Sequence, residues 1–470
     1  MRRALALLLF TVLLAARAAA ADYWVWHRTS PLTPAEREAL TAQGVTTLYW
    51  HVGEMAQRSG RWRWKTPPRS LRDAAPGFRV VPVVRLNPAT RQPFAPAATL
   101  EALIADLRAV AGESGPLQID YDCPDRLLPD YAAALQKVRR AIPHLSITAL
   151  TQWPRVKGFD SLVRSVEEIV PMFYDLQADP TGVSAEVPPP PLLDPAQLAA
   201  VIRPWTACPI PWRAGLPNFA RLTVFDRTGV SRGQIPNWLW EDFCFHKALR
   251  TLAATRLGVT LFRADTDTRV AATPVAKDEL VVSRFTDRAA LAQAIASARS
   301  AGAKDVVFFR LPDGTGPAGW SLANLRDLAA NQHPRLMLRA AADDRLELIN
   351  ASSIDLGPRL SGEKHDRDRG YALEIDAPGP LFREALAGDF WRVGAHAEPD
   401  AKKPIAVAVP LATRLTFWFS DLRAGATLHT GLLQLAPGAS LDNVRYRILN
   451  SAENDAWKPV TLPPTSTPAP

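Results

Sequence analysis

The sequence predicts an α/β fold, a (β/α)8 TIM-like barrel followed by a C-terminal β-sandwich-like domain, and three observations carry that prediction. Short β-rich runs alternate with amphipathic segments over the first two thirds of the chain. Eight such runs can be placed, enough to close a parallel barrel. From about Arg335 onward the helical stripes fade and short alternating runs replace them.

In chain order the predicted barrel strands are Tyr23 to Arg28, Thr46 to His51, Arg79 to Leu86, Leu117 to Asp122, Ser146 to Thr151, Ile169 to Tyr174, Pro209 to Arg213 and Asp305 to Leu311. Leu100, Leu103, Leu107 and Val110 recur at helical spacing, as do Leu128, Tyr131, Leu135, Val138 and Ile142. Each set gives one apolar stripe to lay on a sheet, so both segments read as outer-ring helices. Gly258 to Ala264 and Glu279 to Arg284 read as an inserted hairpin. Pro188 to Pro191 cannot join a helix or a central strand, which places them in a long loop after the sixth strand. Arg345 to Ile349, Tyr371 to Ile375, Ile405 to Val409 and Arg414 to Phe419 are the predicted strands of the second domain.

A chain of 470 residues exceeds the roughly 250 to 300 residues at which a single core stops growing. The division expected is a signal peptide over 1–21, a barrel domain over 22–333, a β-rich domain over 334–460 and a disordered Pro/Thr tail over 461–470. The signal peptide rests on Arg2 and Arg3, the apolar run Ala4 to Ala16 and the small residues Ala18 to Ala21, with cleavage near Ala20 or Ala21. It implies export to the periplasm or beyond. No later stretch approaches ~20 uninterrupted apolar residues, so no transmembrane span is expected. The formal charge is +8, and setting aside Arg2, Arg3 and Arg17 leaves +5 with arginine scattered along the chain, which argues against a nucleic-acid partner. Cys123, Cys208 and Cys244 show no metal-type spacing and read as buried small hydrophobes.

In such a barrel the working residues sit at the C-terminal ends of the strands. Along Gln118-Ile119-Asp120-Tyr121-Asp122-Cys123, period-two alternation puts Gln118, Asp120 and Asp122 on one face and the other three toward the helices. Asp120 and Asp122 then line the barrel mouth. Neighbouring carboxylates repel when both are ionised, so one tends to keep its proton near neutral pH, which suits acid–base work on a glycosidic oxygen. The same residues also suit structural roles, Asp120 as a buried hydrogen-bonding anchor and Asp122 as a helix cap. Tyr174 and Asp175 end the sixth strand and complete the catalytic candidates. Trp26, Trp153 and Trp212 are the aromatic candidates, because apolar ring faces stack on the C–H faces of sugars. Arg28, His51, Arg85, Gln118, Arg213 and Arg310 stand at or near strand ends as polar candidates for substrate. The reading needs no cofactor and no metal, since no G-x-S-x-G, P-loop, H-E-x-x-H or zinc-ligand array occurs.

Through Tyr23-Trp24-Val25-Trp26-His27-Arg28, Gln118 to Pro124 and Phe173-Tyr174-Asp175, the chain resembles a bacterial family known as domain of unknown function 3142, over roughly residues 22 to 330. More remotely it is similar to the family 18 glycoside hydrolases, the chitinase-like barrels. Their fourth strand ends in D-x-x-D-x-D-x-E and their sixth carries M-x-Y-D, which Met172-Phe173-Tyr174-Asp175 matches as it stands. The resemblance lays Asp120 and Asp122 on the last two aspartates of the first pattern and Pro124 on its glutamate. It implies a barrel acting on a polysaccharide or oligosaccharide, with Asp122 or Asp175 taking the acid's work. The alternative is a non-catalytic envelope protein that binds carbohydrate in the same cleft.

Overall fold

The computed structural model describes residues 21–462 except 27, 72, 313–318, 329–331, 342–344, 362–368, 399–403 and 452–455. The expected signal segment therefore lies outside the described residues apart from Ala21, and so does the expected tail from 463 onward. Eight parallel strands form the barrel: β1 (Ala21–Val25), β2 (Thr47–Arg58), β3 (Arg79–Asn87), β4 (Leu117–Asp120), β5 (Leu145–Ala149), β6 (Glu168–Pro171), β7 (Arg213–Pro217) and β8 (Asp305–Phe309). They hydrogen-bond in the order β6-β5-β4-β3-β2-β1-β8-β7. Parallel bridges from Ile169 to Trp212 and from Met172 to Gly215 bring β6 back to β7 and nearly close the ring. A further strand, Arg61–Thr66, folds back antiparallel on the long β2.

Every run read as a barrel strand lies in or beside this ring, but one is displaced. The sequence pointed to Pro209–Arg213, whereas β7 begins at Arg213. Pro209 and Pro211 have no N–H to give a ladder, so the strand starts after them. The shift moves Arg213 from the top of a strand to the bottom. There its guanidinium meets Asp22 at 2.6 Å and Glu168 at 2.9 Å, with Tyr49 donating to Glu168 at 2.5 Å. Asp22 also accepts the Thr47 backbone N–H at 2.8 Å. This buried network ties the N-terminal ends of β1, β2, β6 and β7 together.

The barrel encloses Trp24, Tyr49, Val81, Val83, Val170 and Val307. Trp24 fits because Gly215 faces it from β7, where an added Cβ would come within 2.9 Å of the indole. Outside the strands, Ile119, Tyr121 and Cys123 pack with Leu103, Leu107, Tyr131 and Leu135. These come from helices Ala97–Ala111 and Leu128–Ala141, where the two apolar stripes placed them. The alternation along β4 thus holds, and it turns Gln118 and Asp120 inward. None of the three cysteines is in a disulfide, and burial pushes the Cys123 thiol up to about 12.

Between β7 and β8 the predicted hairpin proves to be part of something larger. Val259–Ala264 and Leu280–Phe285 do pair, but within a five-stranded antiparallel sheet that also holds Ser231–Gln234, Ala220–Phe225 and Leu249–Ala254. A two-stranded ribbon, Thr268–Val270 with Thr273–Val275, extends it. Beyond Leu336 the described strands form antiparallel sheets of three, six and two strands. Leu338, Leu348, Leu373, Phe382, Phe417 and Phe419 from all three sheets share one core, giving the sandwich-like arrangement. The predicted Ile405–Val409 strand shrinks to Ile405–Ala406, and a 3-10 turn over Val409–Leu411 follows at Pro410. Among the described residues no helix is long and apolar enough to cross a membrane.

Removing Arg213 strands Asp22 and Glu168 in a dry site. Arg213→Met is expected to lower the free energy of urea unfolding by about 3 to 5 kcal/mol. A loss below about 1 kcal/mol would show that the network does not hold the barrel floor.

Candidate functional site

At the opposite end of the barrel, strand register brings charge together. Arg85 on β3 is the direct Cα partner of Asp120 on β4, and their side chains meet at 2.9 Å through Nη1 and Oδ2. The second guanidinium nitrogen reaches Asp122 Oδ2 at 3.2 Å. Thr148, near the end of β5, donates its hydroxyl to the other oxygen of Asp120 at 2.9 Å. The side chain of Asp120 is only 6% exposed while that of Asp122, two residues further on and past the ladder, is 49% exposed. Burial pushes the Asp120 carboxyl above its ordinary 3.8, and the neighbouring Asp122 charge adds to this while Arg85 and Thr148 oppose it.

Facing these groups is an aromatic wall. Trp26, just past β1, stacks on His51 with ring centroids 4.1 Å apart and meets Phe309 edge-on at 5.4 Å. Phe309 stacks on Tyr174 at 5.9 Å, and Phe219 closes on both. Burial, together with the charges of Asp120, Asp175 and Asp122, drives the Tyr174 phenol well above its ordinary value, so it stays protonated and is a hydrogen-bond donor. Asp175 sits in the left-handed region at φ 51°, which a short polar side chain tolerates better than most. Its carboxylate pairs with Arg221 of the inserted sheet. The insertion thereby forms part of the cleft, contributing Arg221 and Gln234 to a cavity of about 580 Å³.

Of the residues singled out from sequence, the structure gathers Trp26, Arg85, Asp120, Asp122, Tyr174, Asp175 and Arg310 around this cavity. Others stand apart, each for a visible reason. Gln118 faces inward but is fully buried below Asp120, accepting the Trp24 indole N–H at 2.7 Å. His51 supports the back of Trp26 and does not line the cavity. Arg28 is spent on Glu36 and on the Ser30 and Pro31 carbonyls, fastening the start of helix Pro34–Ala42. Trp153 is completely buried against Tyr131, and Trp212 packs with Phe173 and Trp205, so both belong to the layer between strands and helices. Arg213 lies at the far end of the barrel. Sequence reasoning missed Thr148, Phe219, Arg221, Gln234 and Phe309. Alternation along β5 points to Thr148, and Phe309 adjoins Arg310, but nothing in the local sequence aims the inserted sheet at the barrel mouth.

Residues 76–230 match the model of the family described as Domain of unknown function (DUF3142). That stretch holds Arg85, Asp120, Asp122, Tyr174 and Asp175, and leaves out the Tyr23 to Arg28 segment. No curated protein matches the chain. Among solved structures, the spore cortex-lytic enzyme of Bacillus cereus is similar at 15% identity, over 66% of this chain and 74% of that one, with a TM-score of 0.44. A class V chitinase mutant from the plant Cycas revoluta, in complex with (GlcNAc)3, is 14% identical over 66% and 98%, with a TM-score of 0.40. A glycoside hydrolase family 18 N-acetylglucosaminidase from Paenibacillus barengoltzii is 12% identical over 62% and 95%, at 0.39.

Because Arg85 is the cation that holds Asp120 down, Arg85→Gln is expected to raise the Asp120 carboxyl further, read by carboxyl carbon NMR across a pH titration. The folded pKa already exceeds the unfolded one, so this group's stabilising contribution is complete below about 3.8 and is lost as pH rises through its folded value. The variant should shift that loss to higher pH. An unchanged or lower Asp120 titration would contradict the assignment.

Proposed function

We propose that the cleft cleaves a glycosidic bond in a polysaccharide or oligosaccharide, without a cofactor, in an exported protein. The observation that carries this reading is the layered pair at the end of β4. Asp122 is open to the cleft, and Asp120 lies buried beside it with its carboxyl pushed up. In this reading Asp122 passes a proton to the glycosidic oxygen as the bond to the leaving sugar breaks, and a water molecule adds to the anomeric carbon and returns a proton to the Asp122 carboxylate. Asp120, bonded to Arg85 and Thr148, orients the segment that carries Asp122. The protonated Tyr174 donates a hydrogen bond to the reacting sugar, and Trp26 with Phe309 offers ring faces for stacking. Asp175, committed to Arg221, positions the Tyr174 segment and does not hold the sugar itself.

The family 18 pattern lays its acid on Pro124, which has no proton to give, so in this reading Asp122 takes that work. Pro124 lies beyond, at the start of the 3-10 turn Asp125–Leu127. Export is supported by the charge, apolar run and small residues of the first 21 positions.

A second reading, carbohydrate binding without cleavage, has its own support. Arg85 holds both carboxylates in place, an arrangement that can accept hydrogen bonds from sugar hydroxyls with no bond broken. The two readings separate on a panel of bacterial envelope polysaccharides, scored for reducing-end release and for retention on immobilised glycan. Cleavage predicts that Asp122→Asn lowers kcat/KM by about 100-fold or more, with retention kept, and that Trp26→Ala weakens retention. Retention by the wild type with no release identifies the binding protein. Release that is unchanged in Asp122→Asn removes Asp122 from the chemistry.

A further inference from the structure

The arginines that meet in and beside the cleft are matched by carboxylates, with one exception. Arg85 contacts Asp120 and Asp122, Arg221 pairs with Asp175, and Arg284 of the inserted sheet pairs with Asp179. Arg310 lines the same cavity, and among the described residues its guanidinium has no acidic partner. Its backbone, in contrast, is firmly held. The Arg310 N–H donates to the Asn218 carbonyl at 3.3 Å, and the buried Asn218 amide donates back to the Arg310 carbonyl at 3.0 Å. Asn218 also accepts the Trp320 N–H at 2.8 Å. The side chain therefore projects from a fixed base.

Its place on the ring gives the cation a direction. The strands follow one another around the barrel in chain order, so β8, which leads into Arg310, stands across the mouth from β4 and its two aspartates. Phe309, the residue before Arg310, belongs to the aromatic wall. A sugar seated on that wall has carboxylates toward one side and an unmatched guanidinium toward the other. A half-buried cation without a counter-charge is a costly thing to keep, and the planar fork of arginine fits a carboxylate with two parallel hydrogen bonds.

We propose that Arg310 recognises a carboxylate carried by the glycan, so that the substrate class is an acidic, uronate-containing polysaccharide. This rests on the reading of the cleft as a glycan site. Arg85 is already engaged by Asp120 and Asp122, and Arg221 by Asp175, so the β8 side carries the guanidinium that is left for the sugar's carboxylate. Orientation of the chain in the cleft follows from that polarity.

The test uses the mature chain, residues 22–470, and matched polymers: hyaluronan, alginate and polygalacturonate, each beside its carboxyl-reduced form, in which the carboxylate has become a hydroxymethyl group. Retention is measured for the wild type and for Arg310→Gln, with thermal unfolding to confirm that the variant folds. The expected result is that at least one native polymer is held about tenfold or more tighter than its reduced form by the wild type. That preference collapses in Arg310→Gln. A wild type that holds native and reduced forms equally overturns the proposal and leaves the glycan reading standing. A preference that survives in Arg310→Gln also overturns it, by assigning the selectivity to the general field of the protein. Failure of the wild type to retain any polymer, native or reduced, removes the glycan reading and this inference with it.

Discussion

One guanidinium organises the mouth of the barrel. Arg85 stands opposite Asp120 because β3 and β4 are paired in a single register, and a parallel ladder slipped by one residue would turn either side chain to the helix layer. From that position its two terminal nitrogens reach Asp120 and Asp122 together. The arrangement offsets the repulsion that two adjacent carboxylates otherwise suffer, and it lets one of them be buried. Burial still wins for Asp120, whose carboxyl is held above its ordinary range in spite of the cation. The site thus has a dry carboxyl next to a wet one, an asymmetry that acid–base chemistry can use.

The rest of the molecule keeps that arrangement in place. Below it, Trp24 and its valine neighbours fill the barrel, and the Arg213 network fastens the floor. Beside it, the inserted sheet reaches back over the strands, with Arg221 gripping Asp175 and Arg284 gripping Asp179. These two ion pairs couple the long loop after β6 to a structural unit that begins more than 40 residues later in the chain. The cleft is therefore assembled from the barrel's strand ends and the inserted sheet, and its shape depends on both.

Much of this was legible in the sequence, and the parts that were not have physical reasons. Strand and helix periodicity identified the barrel runs, and alternation along Gln118 to Cys123 assigned the inward face correctly, because both signals are local. Trp153 and Trp212 were misread because a tryptophan near a strand end has the same local signature whether it faces a cleft or a helix layer. Arg213 was misread through the position of a strand start, which two prolines moved by four residues. Arg28 gave no sign that Glu36, eight residues away, would take its guanidinium. The contribution of Arg221, Phe219 and Gln234 is a matter of tertiary placement, and the inserted sheet had been reduced to its two most β-like strands.

The central claim, that Asp122 meets a glycosidic oxygen at the C-terminal end of β4, is tested most directly by a crystal structure of the Asp122→Asn protein soaked with an oligosaccharide it retains. The account predicts a sugar ring against Trp26 and Phe309, with a glycosidic oxygen within roughly 2.6 to 3.2 Å of the residue 122 side chain. Sugar density elsewhere on the molecule, or in the cleft with that oxygen turned away from residue 122, would contradict it.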